Sequence, residues 1–321
     1  MFDYVSLQNL TLAYGKTIVV GGLNLDIAKG ELITLLGPSG CGKTTTMRAI
    51  AGLLRPKSGT IHLDGTNVTR VPPSKREVGL VFQSYALFPH LNVFENVAFG
   101  LRLRQERGLD HKVMEGLDTV GLTDFADRAT NDLSGGQQQR VSLARSLVMK
   151  PKVLLLDEPL SNLDARLRLE MRSELQRVQR DTGVTMIFVT HDQSEALALA
   201  DRIVLMRDGA IEQIGSPEEL YNAPVSGFAA DFMGFETILP DDGNSGKGLA
   251  WRPGAVQIGA GPHHGKVRGA SFAGERWEYV LSSPLGDIKA NLPIGGPRYQ
   301  IGQTVDFDLP RDAAVSLERV T

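Results

Sequence analysis

Short apolar runs and stretches of helical periodicity alternate along most of the chain. The apolar run at residues 31–36 ends in the turn-forming sequence Gly37-Pro38-Ser39-Gly40, which is typical of a buried strand that enters a turn. Apolar residues then recur at the spacing of one helix face, namely Met47, Ile50, Ala51 and Leu54. The pattern therefore predicts a strand, a glycine-rich loop and a helix, in that order.

Three later apolar runs also have strand character. They are Val78–Phe82, Val153–Leu156 and Met186–Val189, and helical patterns lie at residues 138–149 and 165–181. Strands that alternate with helices are typical of a parallel sheet joined by crossover helices. We therefore predict an α/β fold.

The stretch from about residue 90 to residue 133 breaks this alternation. It contains no strand-like run, and Val113, Leu117 and Val120 have helical spacing. We interpret residues 90–133 as a helical insertion in the α/β domain.

The character of the chain changes again towards its C-terminus. Arg202–Met206 and Ala210–Ile214 flank Asp208-Gly209, a pair that favours a β-hairpin. Past about residue 235, Gly and Pro separate short alternating segments such as Lys266–Val267, Arg276–Leu281 and Val305–Leu309. We predict an α/β domain at residues 1–235 and a small β domain at residues 236–321.

Composition and charge narrow the classes of function. The 321 residues are 42% hydrophobic and carry a formal net charge of −3, which is typical of a globular protein and argues against nucleic acid as a partner. The single cysteine, Cys41, excludes an internal disulfide and a cysteine-cluster metal site. We expect neither a signal peptide nor a membrane-spanning segment, so a membrane role requires a partner protein.

The glycine-rich loop carries the clearest chemical pattern. Gly37-Pro38-Ser39-Gly40-Cys41-Gly42-Lys43-Thr44 matches the phosphate-binding loop, and it has the strand-to-helix context that this motif requires. Its N–H groups and the following helix N-terminus face anionic phosphates. We expect the Lys43 ammonium to reach the β- and γ-phosphates and the Thr44 hydroxyl to bind Mg²⁺.

A second pattern lies at the end of the run Val153–Leu156. The strand continues into Asp157 and Glu158, and α/β sheets place ligands at the carboxyl ends of their strands. We expect Asp157 to hold Mg²⁺ through its water shell and Glu158 to polarise the water that attacks the γ-phosphate.

Between these two patterns lies Leu133-Ser134-Gly135-Gly136-Gln137. Taken alone, this segment is a serine-capped helix start. Together with the loop and the acidic strand, it makes residues 1–235 resemble the ATP-binding cassette (ABC) ATPases. The resemblance implies a P-loop α/β cassette with a helical subdomain, followed by a small all-β domain similar to the TOBE and OB types, and it implies an active ATPase.

The resemblance also implies roles for individual residues. Tyr14 matches the aromatic residue that stacks on adenine, Gln83 matches the glutamine that senses Mg²⁺ and the membrane subunit, and His191 matches the switch histidine at the γ-phosphate. Catalytic roles are implied for Glu158, His191 and Gln83. Metal contacts are implied for Thr44, Gln83 and Asp157. The residues implied to contact ATP are Tyr14, Gly37, Pro38, Ser39, Gly40, Cys41, Gly42, Lys43, Thr44, Thr45, Ser134, Gly135, Gly136, Gln137 and Asp164.

The family resemblance further implies an assembly. In ABC ATPases the segment matching Ser134–Gln137 caps the nucleotide of the opposite subunit, so a head-to-tail homodimer is implied, with Ser161-Asn162-Leu163-Asp164 matching the loop that couples the two sites. The segment Phe82–Leu101 is similar to importer ATPases of the polyamine, ferric-iron and phosphonate group. This implies integral membrane permease subunits as partners, a solute-binding protein indirectly, and a peripheral position at the cytoplasmic face of the bacterial inner membrane.

Some alternatives stay open at this point. The solute is not encoded in the cassette, so sugar or sulfate import remains an alternative, and a non-transport ABC ATPase acting on nucleic acid or the ribosome is a more remote one. Trp251-Arg252-Pro253-Gly254 and Gly265-Lys266-Val267 resemble the small β-barrel of importer ATPases, which either dimerises, binds a regulator or pads the cassette. Cys41 is either a small residue that fits the loop or a thiol whose oxidation blocks ATP.

Overall fold

The computed structural model describes residues 4–241 and 246–320. By its internal contacts the chain divides into two compact units, Met1–Pro217 and Glu218–Thr321. The first unit is α/β, and the described part of the second contains two short α-helices near its start and is otherwise built mainly of β-strands. None of the helices in the described ranges combines the length and the apolar character that a membrane span needs.

Over its described residues, 4–217, the first unit contains ten strands and six α-helices. The strands are β1 (Val5–Tyr14), β2 (Thr17–Ile27), β3 (Leu32–Leu36), β4 (Ser58–Leu63), β5 (Thr66–Asn67), β6 (Val78–Val81), β7 (Val153–Asp157), β8 (Thr185–Thr190), β9 (Arg202–Arg207) and β10 (Ala210–Gly215). The helices are α1 (Lys43–Ala51), α2 (Val93–Leu103), α3 (Leu109–Thr119), α4 (Gly135–Leu147), α5 (Ala165–Thr182) and α6 (Gln193–Leu199).

A six-stranded sheet organises this unit. Its order is β10-β9-β3-β8-β7-β6, with β9, β3, β8, β7 and β6 parallel and β10 antiparallel at one edge. All five residues of β3 and all six of β8 are buried, which is why they occur in the sequence as continuous apolar runs. The predicted parallel α/β sheet is therefore confirmed.

The two faces of this sheet pack into different apolar cores. Along β7, Leu154 and Leu156 belong to one core, whereas Val153 and Leu155 belong to the other. This alternation follows from the two-residue period of a strand. The first core is completed mainly by helices α2 to α5, and the second by α1 and by strands outside the sheet.

A second, antiparallel sheet was not predicted. Its order is β2-β1-β4-β5, and it contributes Val5, Leu7, Leu10 and Leu12 to the second core. The pairing of β1 with β2 shifts register between Leu7 and Leu10 and again on either side of Leu12. These irregularities break the strict alternation of apolar and polar residues by which a half-buried strand is found in a sequence.

The segment at residues 90–133 contains helices α2 and α3 and two short 3-10 turns, at Thr123–Phe125 and Thr130–Asp132. Helix α2 begins with a capping box between Asn92 and Glu95. The helically spaced Val113, Leu117 and Val120 are all fully buried in the first core.

From residue 217 onwards, the described residues 217–241 and 246–320 form helices α7 (Pro217–Asn222) and α8 (Gly227–Phe232) and seven strands. The strands are β11 (Thr237–Pro240), β12 (Gly248–Trp251), β13 (Gln257–Phe272), β14 (Arg276–Ser283), β15 (Gly286–Pro293), β16 (Thr304–Asp308) and β17 (Val315–Leu317). They form two antiparallel sheets, β11-β12-β17 and β15-β14-β13-β16. The core includes Trp251, whose indole N–H donates to the carbonyl of Pro310 over 2.8 Å. The predicted all-β fold of the residues past 235 is confirmed, since α7 and α8 both end before that point.

Candidate active site

Four neighbouring strands of the large sheet end at one edge with the predicted site residues. Strand β3 leads into the loop Gly37–Thr44, β8 is followed by His191, β7 ends in Asp157 and β6 is followed by Gln83. Because these strands are parallel neighbours, their carboxyl ends converge, and this is the edge at which α/β sheets bind ligands.

The loop between β3 and α1 requires glycine where it turns tightest. Gly37 has a φ of 149°, and a Cβ there would lie 2.3 Å from the carbonyl oxygen of Met206. Gly42 has a φ of 106°, and a Cβ there would lie 2.7 Å from Cγ2 of Val20. A side chain at either position would therefore deform the loop. Between them, Pro38, Ser39 and Gly40 are exposed.

Lys43 is the first residue of α1, and its side chain folds back into the loop. Its ammonium donates to the carbonyls of Gly37 at 2.7 Å and Pro38 at 2.9 Å and lies 3.7 Å from Sγ of Cys41. Lys43 is 5% exposed and Cys41 3% exposed. The loop thus holds a buried positive charge beside exposed backbone, an arrangement suited to an anionic ligand.

Thr44 and Asp157 connect the loop to the neighbouring acidic strand. The Thr44 hydroxyl donates to Oδ1 of Asp157 over 3.0 Å. Burial raises the pKa of the Asp157 carboxyl, the hydrogen bond from Thr44 opposes this effect, and the charge of Glu158 adds to it. A partly buried carboxylate next to a hydroxyl is a donor set that suits Mg²⁺.

Glu158 and His191 meet at the ends of β7 and β8. Nδ1 of His191 lies 3.2 Å from Oε2 of Glu158. Glu158 has a φ of 44°, a left-handed conformation that is uncommon for a side chain of this size. Its N–H donates to the carbonyl of Val189 over 3.0 Å, so hydrogen bonding to β8 holds this backbone in place.

Gln83 lies beside the segment Ser161–Asp164. Its amide donates to the Ser161 hydroxyl over 3.0 Å, and the Asn162 amide donates to the Gln83 carbonyl over 3.0 Å. The Ser161 hydroxyl in turn donates to the carbonyl of Glu158 over 2.9 Å. A continuous chain of hydrogen bonds therefore runs from Gln83 to Glu158.

Ser134 and Gln137 cap the start of α4. The Ser134 N–H donates to the Gln137 side chain over 2.9 Å, and the Gln137 N–H donates to the Ser134 hydroxyl over 3.4 Å. A Cβ at Gly135 would lie 3.4 Å from Cδ2 of Leu163, and one at Gly136 would lie 2.7 Å from Cδ1 of Leu167. This end of α4 thus packs against the start of α5, where Asp164 caps the helix by accepting from the Leu167 N–H over 2.9 Å.

The structure does not join every predicted residue to the same cluster. Within residues 4–241 and 246–320, no hydrogen bond or ion pair links Ser134–Gln137 to the loop Gly37–Thr44. Tyr14 lies at the end of β1 with 47% of its surface exposed. Thr45 is half-buried in the first turn of α1.

The sequence analysis did not identify the hydrogen bonds that hold the backbone next to His191 in place. The Thr190 hydroxyl donates to Oε2 of Glu195 over 2.7 Å and accepts from the Asp192 N–H over 3.0 Å. Glu195 is 3% exposed, and burial raises the pKa of its carboxyl. An acidic residue among the apolar positions of α6 was the available signal.

A second missed feature is the turn that follows Gln83. Tyr85 and Ala86 have φ values of 60° and 48°. The Arg145 guanidinium donates to the carbonyls of Ala86 at 2.8 Å and Tyr85 at 3.0 Å, and the Ser142 hydroxyl donates to the Tyr85 carbonyl at 2.9 Å. Helix α4 therefore holds a turn that is costly for residues other than glycine.

Comparisons with known proteins agree with this geometry. A family model described as ABC transporter matches residues 20–161. A spermidine/putrescine import ATP-binding protein of Mesoplasma florum is 46% identical over 88% of this chain and 89% of the relative. A ferric-ion import ATP-binding protein of Rhizobium etli is 43% identical over 98% of this chain and 94% of the relative.

A solved structure shows the same cassette fold. It is cbiO1 of Clostridium perfringens, described as part of the ABC transporter complex cbiONQ. It has a TM-score of 0.65 and 32% identity, and the match covers 69% of this chain and 91% of that chain. The family and fold predicted from the sequence are confirmed: this chain belongs to the ABC transporter family and is one of its ATP-hydrolysing subunits.

Proposed function

We propose that the chain powers the import of a solute through a partner membrane permease, with a polyamine, ferric iron or a phosphonate as the solute. The observation that carries the proposal is the convergence of the phosphate loop, Asp157, Glu158, His191 and Gln83 at one sheet edge. The relatives named as import ATP-binding proteins for spermidine/putrescine and ferric ions support the solute class.

In this proposal the loop binds the phosphates of ATP. The backbone N–H groups of Gly37 and of residues 39–45 surround them, and the Lys43 ammonium exchanges its carbonyl partners for phosphate oxygens. Tyr14 stacks its exposed ring on the adenine.

Thr44, Asp157 and Gln83 hold Mg²⁺. No group of three His, Cys, Asp or Glu side chains in the described residues is arranged to hold a metal ion, and Mg²⁺ in such sites relies on one or two carboxylates together with phosphates and water. When bound, Mg²⁺ neutralises charge on the phosphates.

Glu158 acts as general base, and His191 orients it. The carboxylate accepts a proton from the attacking water, while the imidazole fixes the direction of that carboxylate and faces the γ-phosphate. Hydrogen bonds from Ser161 and Gln83 connect this pair to the segment ending at Asp164.

Two chains complete each site in this proposal. Among the described residues, no hydrogen bond or ion pair joins the start of α4 or Asp164 to the phosphate loop of the same chain. Residues Ser134–Gln137 are therefore available to a nucleotide held by the opposite chain. The N-terminus of α4 then supplies N–H groups to the γ-phosphate. The result is a head-to-tail homodimer with two ATP molecules at the interface.

The partners and location follow from the importer role. The dimer lies at the cytoplasmic face of the bacterial inner membrane, bound to permease subunits and served indirectly by a solute-binding protein. We propose residues 1–235 as the ATPase domain, with the helical insertion at about 90–133, and residues 236–321 as a TOBE-like domain.

The test is purification of the Glu158→Gln variant with Mg·ATP from membranes of the native host, followed by identification of the bound proteins. Permease subunits retained by Glu158→Gln, but lost from a Lys43→Ala variant, support the proposal. The exposed exchange Glu170→Gln serves as the control for loss of a carboxylate. Retention of nucleic-acid or ribosomal partners without a permease would refute it.

A further inference from the structure

A cleft of about 570 Å³ lies in the first unit, away from the phosphate loop. It is formed by the chain that follows α1 and by strands β4 and β5, and its lining includes Arg55, Lys57, Ser58, Thr60, Asn67 and Arg70. Helix α1 begins at the phosphate loop and has nine residues, so its end lies about 13 Å along the helix axis from that loop.

The charge of this cleft is positive. Arg55, Lys57 and Arg70 are exposed and line it together, and no carboxylate is part of the lining. In the described parts of the chain, none of the three has an ion-pair partner, and the neighbouring acids Asp64 and Glu77 pair with Lys152 instead. Three cations that face one concave surface without compensation attract an anion.

A fourth cation lies directly behind the cleft. Arg76 is 3% exposed, and its guanidinium donates to the carbonyls of Thr69 at 3.2 Å and Val71 at 2.8 Å, two residues that line the cleft. It also donates to the carbonyls of Ala49 and Ile50 at the end of α1. Burial lowers the pKa of Arg76. All of these partners are neutral, so the buried charge adds to the positive potential of the cleft.

The cleft also presents neutral hydrogen-bond donors. Oδ1 of Asn67 accepts from the N–H of Thr69 at 3.0 Å and from its hydroxyl at 2.7 Å. Both bonds use the same oxygen, and the Asn67 amide nitrogen has no acceptor among residues 4–241 and 246–320. Its N–H groups are therefore available to a ligand, as is the hydroxyl of Ser58.

The strand that carries Ser58 and Thr60 is fixed against its neighbour. Gly59 has a φ of 85°, and a Cβ there would lie 2.4 Å from the carbonyl oxygen of Asn9. Only glycine permits this approach of β4 to β1. The wall of the cleft is therefore preformed by the fold.

We propose that this cleft binds a small phosphate-bearing anion at a site separate from that of ATP. Arginine guanidinium groups bind phosphate through paired hydrogen bonds, and the cleft combines two exposed arginines with a lysine, a hydroxyl and an amide. Its volume is that of a small-molecule site, which favours a compact phosphate ester or the headgroup of an anionic lipid over an extended polyanion.

The test is calorimetric titration of inorganic pyrophosphate into the full chain. The parent protein is expected to bind pyrophosphate at two sites, the cleft and the phosphate loop. Arg55→Gln/Arg70→Gln is expected to weaken pyrophosphate binding at the cleft site by about tenfold or more, whereas Lys43→Ala weakens binding at the loop site. The control Arg104→Gln/Arg180→Gln changes the net charge equally at two exposed positions, directly after α2 and within α5, and keeps both sites.

A second measurement identifies the source of the phosphate. Vesicles of phosphatidylcholine with phosphatidylglycerol are compared with vesicles of phosphatidylcholine alone in a flotation assay. Retention on the anionic vesicles that Arg55→Gln/Arg70→Gln abolishes identifies a lipid headgroup, and cleft binding of pyrophosphate without retention identifies a soluble phosphate compound.

The proposal is wrong if Arg55→Gln/Arg70→Gln and the control give the same pyrophosphate titration and the same flotation. Binding of duplex DNA alone through these arginines would also overturn it. Absence of the loop site from the parent titration, with the cleft site present, would leave this proposal standing and count instead against the assignment of the loop.

Discussion

Nδ1 of His191 lies 3.2 Å from Oε2 of Glu158, which joins the ends of two neighbouring parallel strands. The contact forms within a single chain and without nucleotide, so the two side chains are oriented before a nucleotide binds. In its proposed role as general base, a Glu158 side chain held in this way loses little freedom when it acts, which favours rapid hydrolysis.

Glu158→Gln is expected to lower the ATPase kcat by about 10²- to 10⁴-fold, because the amide cannot accept the proton of the attacking water. ATP affinity should be unchanged, since the carboxylate does not bind the phosphates, and the variant should accumulate as an ATP-bound dimer. Steady-state ATPase assays and size-exclusion chromatography check this, with Glu170→Gln as control. Turnover near the parent rate would remove Glu158 from its proposed role.

Lys43→Ala is expected to weaken ATP binding by roughly 10- to 100-fold, because charge-assisted hydrogen bonds to phosphate are lost. Fluorescent-nucleotide titration measures the change, and Lys266→Ala, at an exposed position of β13, is the charge-matched control. Equal affinity of Lys43→Ala and the parent would show that the loop does not bind the phosphates.

Asp157→Asn is expected to raise the melting temperature at pH 7 without nucleotide while lowering ATPase activity. Burial raises the pKa of Asp157, so between the unfolded-state and folded-state pKa values the folded chain binds more protons, and its stability falls as the pH rises through that range. Asparagine keeps the acceptor for Thr44 and removes the buried charge. Below both pKa values the melting temperatures should converge.

Calorimetry over a series of pH values tests this expectation. Asp208→Asn is the control, because the Asp208 side chain is 92% exposed. A lower melting temperature for Asp157→Asn at neutral pH would show that the carboxylate stabilises the fold without metal.

Arg145→Ala is expected to destabilise the first unit by about 1–3 kcal/mol, because the carbonyls of Tyr85 and Ala86 lose their charged donor. Urea denaturation measures the loss, and Arg145→Lys should recover part of it. A loss of less than about 0.5 kcal/mol in the free energy of unfolding is typical of surface substitutions. Such a value would show that the Arg145 guanidinium does not stabilise the turn after Gln83.

The large sheet and its phosphate loop are predictable because each signal is local. Strands β3, β7 and β8 are buried on both faces and occur as apolar runs, and the loop Gly37–Thr44 needs its glycines to bend. The antiparallel sheet was missed because irregular pairing in β1 disturbs its alternation.

Contacts between segments that are far apart in the sequence could not be predicted from local sequence patterns. Arg145 meets Tyr85 only because α4 packs beside the end of β6, and Glu195 meets Thr190 through the turn before α6. The family resemblance implied roles for Gln83 and for the segment that begins at Ser161. The hydrogen bond between these two side chains is seen only in the folded chain. The cleft at Arg55 and Arg70 likewise depends on strand pairing rather than on a motif.

The burial of Cys41 has a practical consequence. Cys41 is 3% exposed, its Sγ lies 3.7 Å from the Lys43 ammonium, and it is the only cysteine in the sequence. A maleimide reagent reaches it only when the phosphate loop opens, so the labelling rate of the unmodified protein reports how often that opening occurs. Labelling of the native cysteine therefore measures the opening of the phosphate loop without an engineered probe.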